Sequence, residues 1–381
     1  MKQRKLGGLT VSEVGMSCMV FSRGHNQPPA EEDSIAAIRA GYEAGCTYFD
    51  TAENYGKELF HLGHNEELVG KALAGRRHEV ILASKFHLHW RDFQAHRPLY
   101  QAVRSHLDKT LHNLGTDYLD LYYMQRTNPQ APVADIAQVM EQLVAEGLIR
   151  GWGMSQVDLP DIQSGQAVFP LTAVQDAYSM AQRSIEEEVI SYCAQEGIGF
   201  VAFSPIASYY LSSDKPKFDR TADQYERLQA ELLVRKWTIN RPLLQCIQRL
   251  AGQNQASPAQ ISLAWMLHKF PNLVPVPGSK HPERIFENLA SADIILSDEE
   301  VAQLDELLDY CWRHDRQVSK LLERNQTRLY HRQRRTQAKI SKHSQQQAHT
   351  LADPDVQSTQ TELDPQQMPS AEDQTPAPDS I

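Results

Sequence analysis

The chain has 381 residues, 41% of them apolar and 23% charged, with 38 Lys and Arg against 48 Asp and Glu for a net charge of −10 at neutral pH. That is enough chain to bury a large core without disulfides or metals, and barrels of β/α repeats reach this size as one unit. No window approaches about 18 consecutive apolar residues, which excludes a membrane-spanning helix, and the charged start MKQRKLGGLTVSEVG is read as lacking a secretory h-region. Five scattered cysteines (Cys18, Cys46, Cys193, Cys246, Cys311) form no CxxC pair, which fits reduced thiols and predicts a soluble, cytoplasmic protein.

In chain order, LGGLTVSEV before Val14 has the look of a hairpin capping a barrel floor. Eight short apolar runs follow: Val14–Met19, Thr47–Asp50, Val80–Lys85, Tyr118–Gln125, Gly151–Ser155, Thr172–Gln175, Gly199–Ser204 and Leu273–Val276. Helix-period segments separate them, such as Ile35, Ile38 and Tyr42, or Ile136, Val139, Met140 and Leu143. Ser257-Pro258 is a helix start, a cap residue followed by a first-turn proline. Eight strands separated by helices predict a (β/α)8 TIM barrel. The alternative, an open doubly wound sheet, is disfavoured because no Gly-rich phosphate loop follows any run. Ser208–Asn240 reads as a long polar insert after the seventh run, at the end of the barrel where active sites lie.

Past Trp312 the composition changes. Residues 313–342 hold ten Lys and Arg against two acids, and residues 343–381 hold seven acids and no Lys or Arg, which leaves −11 on the body, 1–312. The acidic body offers no nucleic-acid surface, and the Gln- and Pro-rich tail 343–381 is predicted to be a disordered extension. Arg316, Lys320, Arg324, Arg328 and Arg332 recur every four residues. This basic, helix-period stretch has two readings: a solvated C-terminal helix, which is preferred, or a docking element for an anionic partner. Nucleic acid is the weaker partner because Tyr330 is the only Phe, Tyr or Trp in the stretch.

Reactive side chains stand at the ends of the runs. Asp50 is followed by Thr51-Ala52-Glu53-Asn54-Tyr55-Gly56, Lys85 ends the third run, and Gln125-Arg126 end the fourth. A phenol, a cation to tune it and an anion to anchor the cation make a general-acid unit. A buried Asp–Lys pair beside a satisfied tyrosine is the structural alternative. The segment FDTAENYG, strand-end Lys85, GLIRGWGMS (Gly147–Ser155), Ala202-Phe203-Ser204-Pro205 and PVPGSKHPERIFEN (Pro275–Asn288) together resemble the signature segments of the aldo-keto reductase superfamily, in order, over residues 1 to about 312.

That resemblance implies an NADPH-dependent oxidoreductase acting on small carbonyl substrates, with Tyr55 as general acid and Asp50 and Lys85 tuning it. It implies Ser155, Gln156 and Gln175 at the nicotinamide carboxamide, Phe203 stacked on the nicotinamide ring, and Ser204 and Ile206 at the pyrophosphate. Ser279, Lys280 and Arg284 would surround a 2′-phosphate, and Glu287 and Asn288 would bind adenine. The sequence departs from the family at Gln125, where a histidine usually ends the fourth strand. Gln125 retains an amide donor to orient a carbonyl but cannot carry charge. The alternative function is therefore an NADPH-binding regulatory or near-inactive relative acting through a protein partner, with the tail as its contact. His87, Trp90 and Tyr123 are candidate substrate-pocket residues. A metal site is set aside because neither His61/His64 nor His87/His89 comes with a ligand cage.

Overall fold

The computed structural model describes residues 1–22, 28–206 and 224–314, together with 318, 320, 321 and 324. The chain divides into two compact units, Met1–Lys217 with Leu233–Val318 and Phe218–Leu232 with Ser319–Ile381. In the second unit the described residues, 224–232, 320, 321 and 324, are all helical. The predicted disordered tail and most of the basic stretch lie outside the described residues.

The first unit opens with an antiparallel hairpin, β1 (Gln3–Leu6) and β2 (Leu9–Ser12), paired up to Leu6↔Leu9 across Gly7-Gly8. Gly7 has φ +54° and a β-carbon there would stand 2.3 Å from the Thr172 carbonyl oxygen, so only glycine makes this turn.

Eight parallel strands follow in sequential order: β3 (Met16–Ser17), β4 (Tyr48–Asp50), β5 (Ile81–Phe86), β6 (Leu121–Met124), β7 (Trp152–Ser155), β8 (Ala173–Ala177), β9 (Gly199–Phe203) and β10 (Leu273–Pro275). Each falls within or overlaps one of the eight apolar runs. The first strand also meets the last. Gly15 N donates to Pro275 O at 3.0 Å and Ser17 N to Pro277 O at 3.4 Å, the two-residue step of a parallel ladder, and this closes the barrel. A β-carbon on Gly15 would lie 2.5 Å from the Tyr48 ring, so the closing seam is as tight as glycine allows.

Helices alternate with the strands: α1 (Glu31–Glu43), α2 (His64–Ala72), α3 (Leu99–Leu114), α4 (Val133–Ala145), α5 (Leu159–Val168), α6 (Ser191–Gln195), α7 (Gln224–Gln253), α8 (Pro258–Lys269) and α9 (Pro282–Leu289), with a last helix over 298–314. In α4 the periodic Ile136, Val139, Met140 and Leu143 are buried, as their spacing requires. Ser257 and Gln260 form a reciprocal capping box at the start of α8. The insert read as Ser208–Asn240 is different from its reading. Residues 207–223 lie outside the described residues, and from Gln224 the chain is one helix running on to Gln253, with Pro242 inside it and Leu243, Ile247 and Leu250 buried beyond the proline.

Strand alternation sorts the core into two layers. Tyr48, Ala83, Leu121, Tyr123, Ala173, Val201 and Val274 fill the barrel interior, and Leu6 and Val11 of the hairpin join them. Phe49, Leu82, Phe86, Tyr122, Met154 and Phe200 face outward under the helices. A β-carbon on Gly199, the first residue of β9, would stand 2.4 Å from the Leu6 side chain. The hairpin therefore plugs the N-terminal end and leaves the C-terminal strand ends as the mouth. All five cysteines are buried. Among the described residues no helix is long and apolar enough to cross a membrane.

Candidate active site

β4 and β5 run side by side with Asp50 opposite Ala83, which brings the two strand ends together at the mouth. Lys85 Nζ donates to Asp50 Oδ2 at 2.6 Å, to Thr51 O at 2.8 Å and to Tyr55 Oη at 3.3 Å, so all three ammonium protons have partners. Asp50 Oδ1 accepts from Gln175 Nε2 at 2.8 Å, across the barrel from β8. Lys85 is 1% exposed, Asp50 2% and Tyr55 8%. The turn after Asp50 places the phenol: Tyr55 N donates to Ala52 O, and Gly56 follows at φ +97°.

Burial works against the charge on Lys85, but Asp50 and Tyr55 outweigh it and hold the ammonium above its ordinary pKa. Burial pushes the Tyr55 phenol up, Lys85 pulls it down, and the net shift is upward, so Tyr55 carries its proton at neutral pH. A buried, protonated phenol against a fixed cation can donate a proton and leave a stabilised phenolate.

Gln125, the residue after β6, donates its backbone N–H to Phe86 O. Its amide pairs reciprocally with Asn54: Asn54 Nδ2 donates to Gln125 Oε1 at 2.7 Å, and Gln125 Nε2 donates to Asn54 Oδ1 at 3.3 Å. Asn54 precedes Tyr55, so this pair ties the end of β6 to the turn that carries the phenol. The second Nε2 proton of Gln125 is the one left for a carbonyl oxygen.

The candidate pocket residues separate. His87 is half-buried, and burial and neighbouring His89 lower its pKa, so it is neutral at pH 7. Trp90 is 62% exposed, with the Arg91 guanidinium 5.4 Å from its ring centre. Tyr123 is fully buried, bonded to Tyr48 Oη at 3.2 Å, and its ring lies 5.8 Å from Lys85 Nζ. It faces the barrel interior beside Lys85, its register partner on β5, and it is packed against Tyr48 with no exposed surface.

The candidate cofactor residues fall into two groups. At the ends of β7, β8 and β9, Ser155 pairs in register with Gln175, Gln156 N donates to Gln175 O at 2.9 Å, and Phe203 pairs with Ala177. Gln156 (φ 53°) and Ser204 (φ 52°) are two of the three non-glycine residues with positive φ among the described residues, and Ile206 is half-buried just beyond. Left-handed backbone at the ends of β7 and β9, the two strands that flank β8, marks where the fold tolerates strain. In the second group the Ser279 hydroxyl accepts from His281 N at 3.2 Å, followed by α9. Arg284 is paired with Glu287, Lys280 is half-buried, and Asn288 is buried beside a recess lined by Gly15, Met16, Pro277 and Ile285.

Residues 15–309 match the sequence model of the aldo/keto reductase family. The chain belongs to the aldo-keto reductase family. A Glycine max protein named "Probable aldo-keto reductase 1" is 33% identical over 313 residues, covering 79% of this chain and 87% of that protein. Among solved structures, a thermostable aldo-keto reductase in complex with the inhibitor epalrestat has a TM-score of 0.64 at 28% identity over 81% of this chain and all of that one. A Klebsiella pneumoniae aldo-keto reductase in complex with NADP and acetate has a TM-score of 0.62 at 29% identity over 81% of this chain and 96% of that chain. The same organism's enzyme in complex with NADPH has a TM-score of 0.61 over the same shares.

Sequence reasoning missed a charged group behind the Tyr55 turn of this aldo-keto reductase. Glu53, almost fully buried, accepts the backbone N–H of His87 at 2.7 Å and His106 Nδ1 at 2.7 Å, and His106 Nε2 reaches Asp92 at 3.3 Å. Burial opposes charge on His106, but Glu53 and Asp92 win and raise its pKa, so an imidazolium is held between two carboxylates. Nearby in sequence, Glu66 accepts from Ser84 Oγ and Asn113 Nδ2, and burial raises its pKa to about 7. The available signals were an acid inside FDTAENYG and a lone histidine on the apolar face of α3.

Proposed function

We propose that this chain reduces aldehydes or ketones to alcohols with NADPH, with Tyr55 as the general acid. The observation that carries this reading is the Lys85 ammonium, bound at once to Asp50, Thr51 O and Tyr55 Oη in a buried site. NADP and NADPH in the Klebsiella pneumoniae neighbours support the choice of cofactor. The residues present fit it. Ser155, Gln156 and Gln175 offer hydroxyl and carboxamide groups on neighbouring strand ends for the nicotinamide amide, and Phe203 offers a face for its ring. Ser204 and Ile206 follow for the pyrophosphate. Ser279, Lys280 and Arg284 bring two cations and a hydroxyl to the start of α9, a donor set suited to a 2′-phosphate, with Glu287 and Asn288 for adenine.

Bound NADPH supplies hydride to the carbonyl carbon. Tyr55 Oη gives its proton to the carbonyl oxygen, Lys85 stabilises the phenolate left behind, and Asp50 holds Lys85 charged and in place. The Gln125 amide, set by Asn54, donates its remaining N–H to the carbonyl oxygen and fixes its direction without changing charge.

Tyr55→Phe tests the assignment. With 4-nitrobenzaldehyde, kcat is expected to fall by about 10²- to 10⁴-fold, while NADPH affinity from fluorescence titration stays within twofold. Wild-type turnover in the variant removes Tyr55 as the acid. Tight NADPH binding by the wild type with no turnover across an aldehyde panel moves the chain to a cofactor-binding protein.

A further inference from the structure

A buried ring stands behind the Tyr55 turn and takes no part in the chemistry above. His106 lies on the apolar face of α3 and is 9% exposed. Its Nδ1 is 2.7 Å from Glu53 Oε2, two residues before Tyr55, and its Nε2 is 3.3 Å from Asp92 Oδ1. The other oxygen of each carboxylate accepts a backbone N–H from the segment after β5: Glu53 Oε1 from His87 and Asp92 Oδ2 from His89, both at 2.7 Å. This segment begins two residues past Lys85, at the mouth. The core takes Leu88 and part of Phe93 on either side of the turn 89–92. The turn itself carries Trp90, 62% exposed, and is tied to the body by Asp92.

Carboxylates only accept, so a ring that meets one at each nitrogen needs both of its protons. The same two carboxylates outweigh burial and hold the imidazolium above its ordinary pKa. A neutral ring keeps one proton. Glu53 is nearer and more deeply buried than Asp92, so the proton stays on Nδ1 and a bare Nε2 faces the Asp92 carboxylate. Asp92 then turns to water and releases the turn 89–92, while the Glu53 bonds keep the Tyr55 turn in place. The other titratable groups around the ring are not bonded to it. Phe86 packs 6.3 Å from it and 5.0 Å from Tyr122 of β6, Asp108 of α3 pairs with Arg104, and Glu66 of α2 is bonded to Ser84 and Asn113. In the segment, His87 and His89 meet edge to face at 4.6 Å.

We propose that His106 is a positioning residue: its imidazolium ties the turn 89–92 to the Tyr55 turn, and loss of one ring proton weakens the binding of an aromatic carbonyl substrate along that turn while proton transfer from Tyr55 is kept. This rests on the reductase reading above. The exposed Trp90 ring is the face that such a substrate would meet. Because the His106 pKa is raised, the tie is complete below the ordinary imidazole value and is lost as pH rises through the raised one.

The test follows kcat and KM for 4-nitrobenzaldehyde from about pH 6.5 to 9 in the wild type, His106→Gln, Asp92→Asn and Glu66→Gln. Amide hydrogen exchange of residues 87–92, compared at one pH, reads the tie without turnover. Wild-type KM should rise about 10-fold across the range, the low end for a hydrogen bond between charged groups, and kcat should keep one profile in all four proteins. His106→Gln offers a donor to only one carboxylate, so it should show the high KM at the acid end and faster exchange in 87–92 but not in 52–56. Asp92→Asn can still accept His89 N and can donate its amide to a bare Nε2, so it should keep KM low at the alkaline end, a rescue that a merely packed histidine does not give. Glu66 also titrates, with burial raising its pKa to about 7, and Glu66→Gln should leave the wild-type KM profile unchanged. A KM profile unaltered in both His106→Gln and Asp92→Asn overturns the proposal and leaves the reductase reading intact; should His106→Gln not fold, Asp92→Asn alone decides. A pH dependence that disappears in Glu66→Gln belongs to Glu66 and also overturns it. If the wild type turns over no aldehyde, the reductase reading falls, and equal exchange in wild type and His106→Gln then disproves the tie on its own.

Discussion

At the floor of the barrel Leu6 and Val11 of the hairpin join Tyr48, Leu121 and Val274 in a largely apolar plug. At the mouth, a few residues along the same strands, Asp50, Lys85, Gln125, Ser155 and Gln175 are almost as deeply buried, and each is polar or charged. The floor is held by shape, down to glycines that a single β-carbon would spoil. The mouth is held by a few directional bonds, with left-handed backbone at Gln156 and Ser204. The difference teaches where this fold places its stability and where it places its chemistry: packing at one end supports costly charges and strain at the other.

The largest expected effect tests the mouth. Lys85→Met leaves the Asp50 carboxylate buried with Gln175 as its main partner, and stripping one partner from a buried ion pair costs about 3–5 kcal/mol. Activity should be lost with it. Asp50→Asn added to Lys85→Met should restore most of the stability and none of the activity, since the uncompensated charge is gone but the tuned phenol is not rebuilt. Urea denaturation of the wild type and the two variants measures this. A single-variant cost below about 1 kcal/mol would mean that Asp50 finds water at the mouth, and the contrast with the floor would weaken.

The floor gives the next effect. Leu6→Ala opens a cavity where neither strand nor hairpin can collapse freely, and such truncations cost about 2–5 kcal/mol. The melting temperature should fall while kcat and KM stay within twofold of wild type. A tenfold loss of kcat in the folded variant would show that the two ends are mechanically coupled, and the division drawn here would break.

The two ends were also unequally legible in the sequence. Each of the eight strands could be read because burial on both faces forces continuous apolar runs, and the α4 and α8 patterns are local. Asp50 and Lys85 could be named because each ends such a run, and Tyr55 because it lies in the FDTAENYG segment just beyond Asp50. The bond from Gln175 to Asp50 spans 125 residues of chain, and nothing local announces it. The Asn54–Gln125 amide pair and the Glu53–His106–Asp92 group are likewise products of tertiary geometry. Tyr123 faces the barrel interior as Lys85 does, which alternation predicts, but its full burial against Tyr48 is set by tertiary packing that nothing local announces. Helix α7 was obscured by Pro242 and its polar surface, which imitate a loop.

The smallest effect sharpens the comparison most. Gln156 holds φ 53°, a conformation glycine adopts freely and a long side chain does not. Its backbone N–H to Gln175 O survives any substitution except proline. Gln156→Gly should therefore raise stability by up to about 1 kcal/mol, by relieving the strain. If the Gln156 side chain binds the nicotinamide amide, the same variant should weaken NADPH severalfold, and stability and affinity move in opposite directions. That opposition is what a strained functional position predicts and a packed structural one does not. At the floor Gly7 holds the same left-handed region (φ +54°) but is already a glycine, and a larger side chain there would cost stability and touch no ligand. A Gln156→Gly protein that is less stable and binds NADPH unchanged would place Gln156 with the floor, as a structural residue.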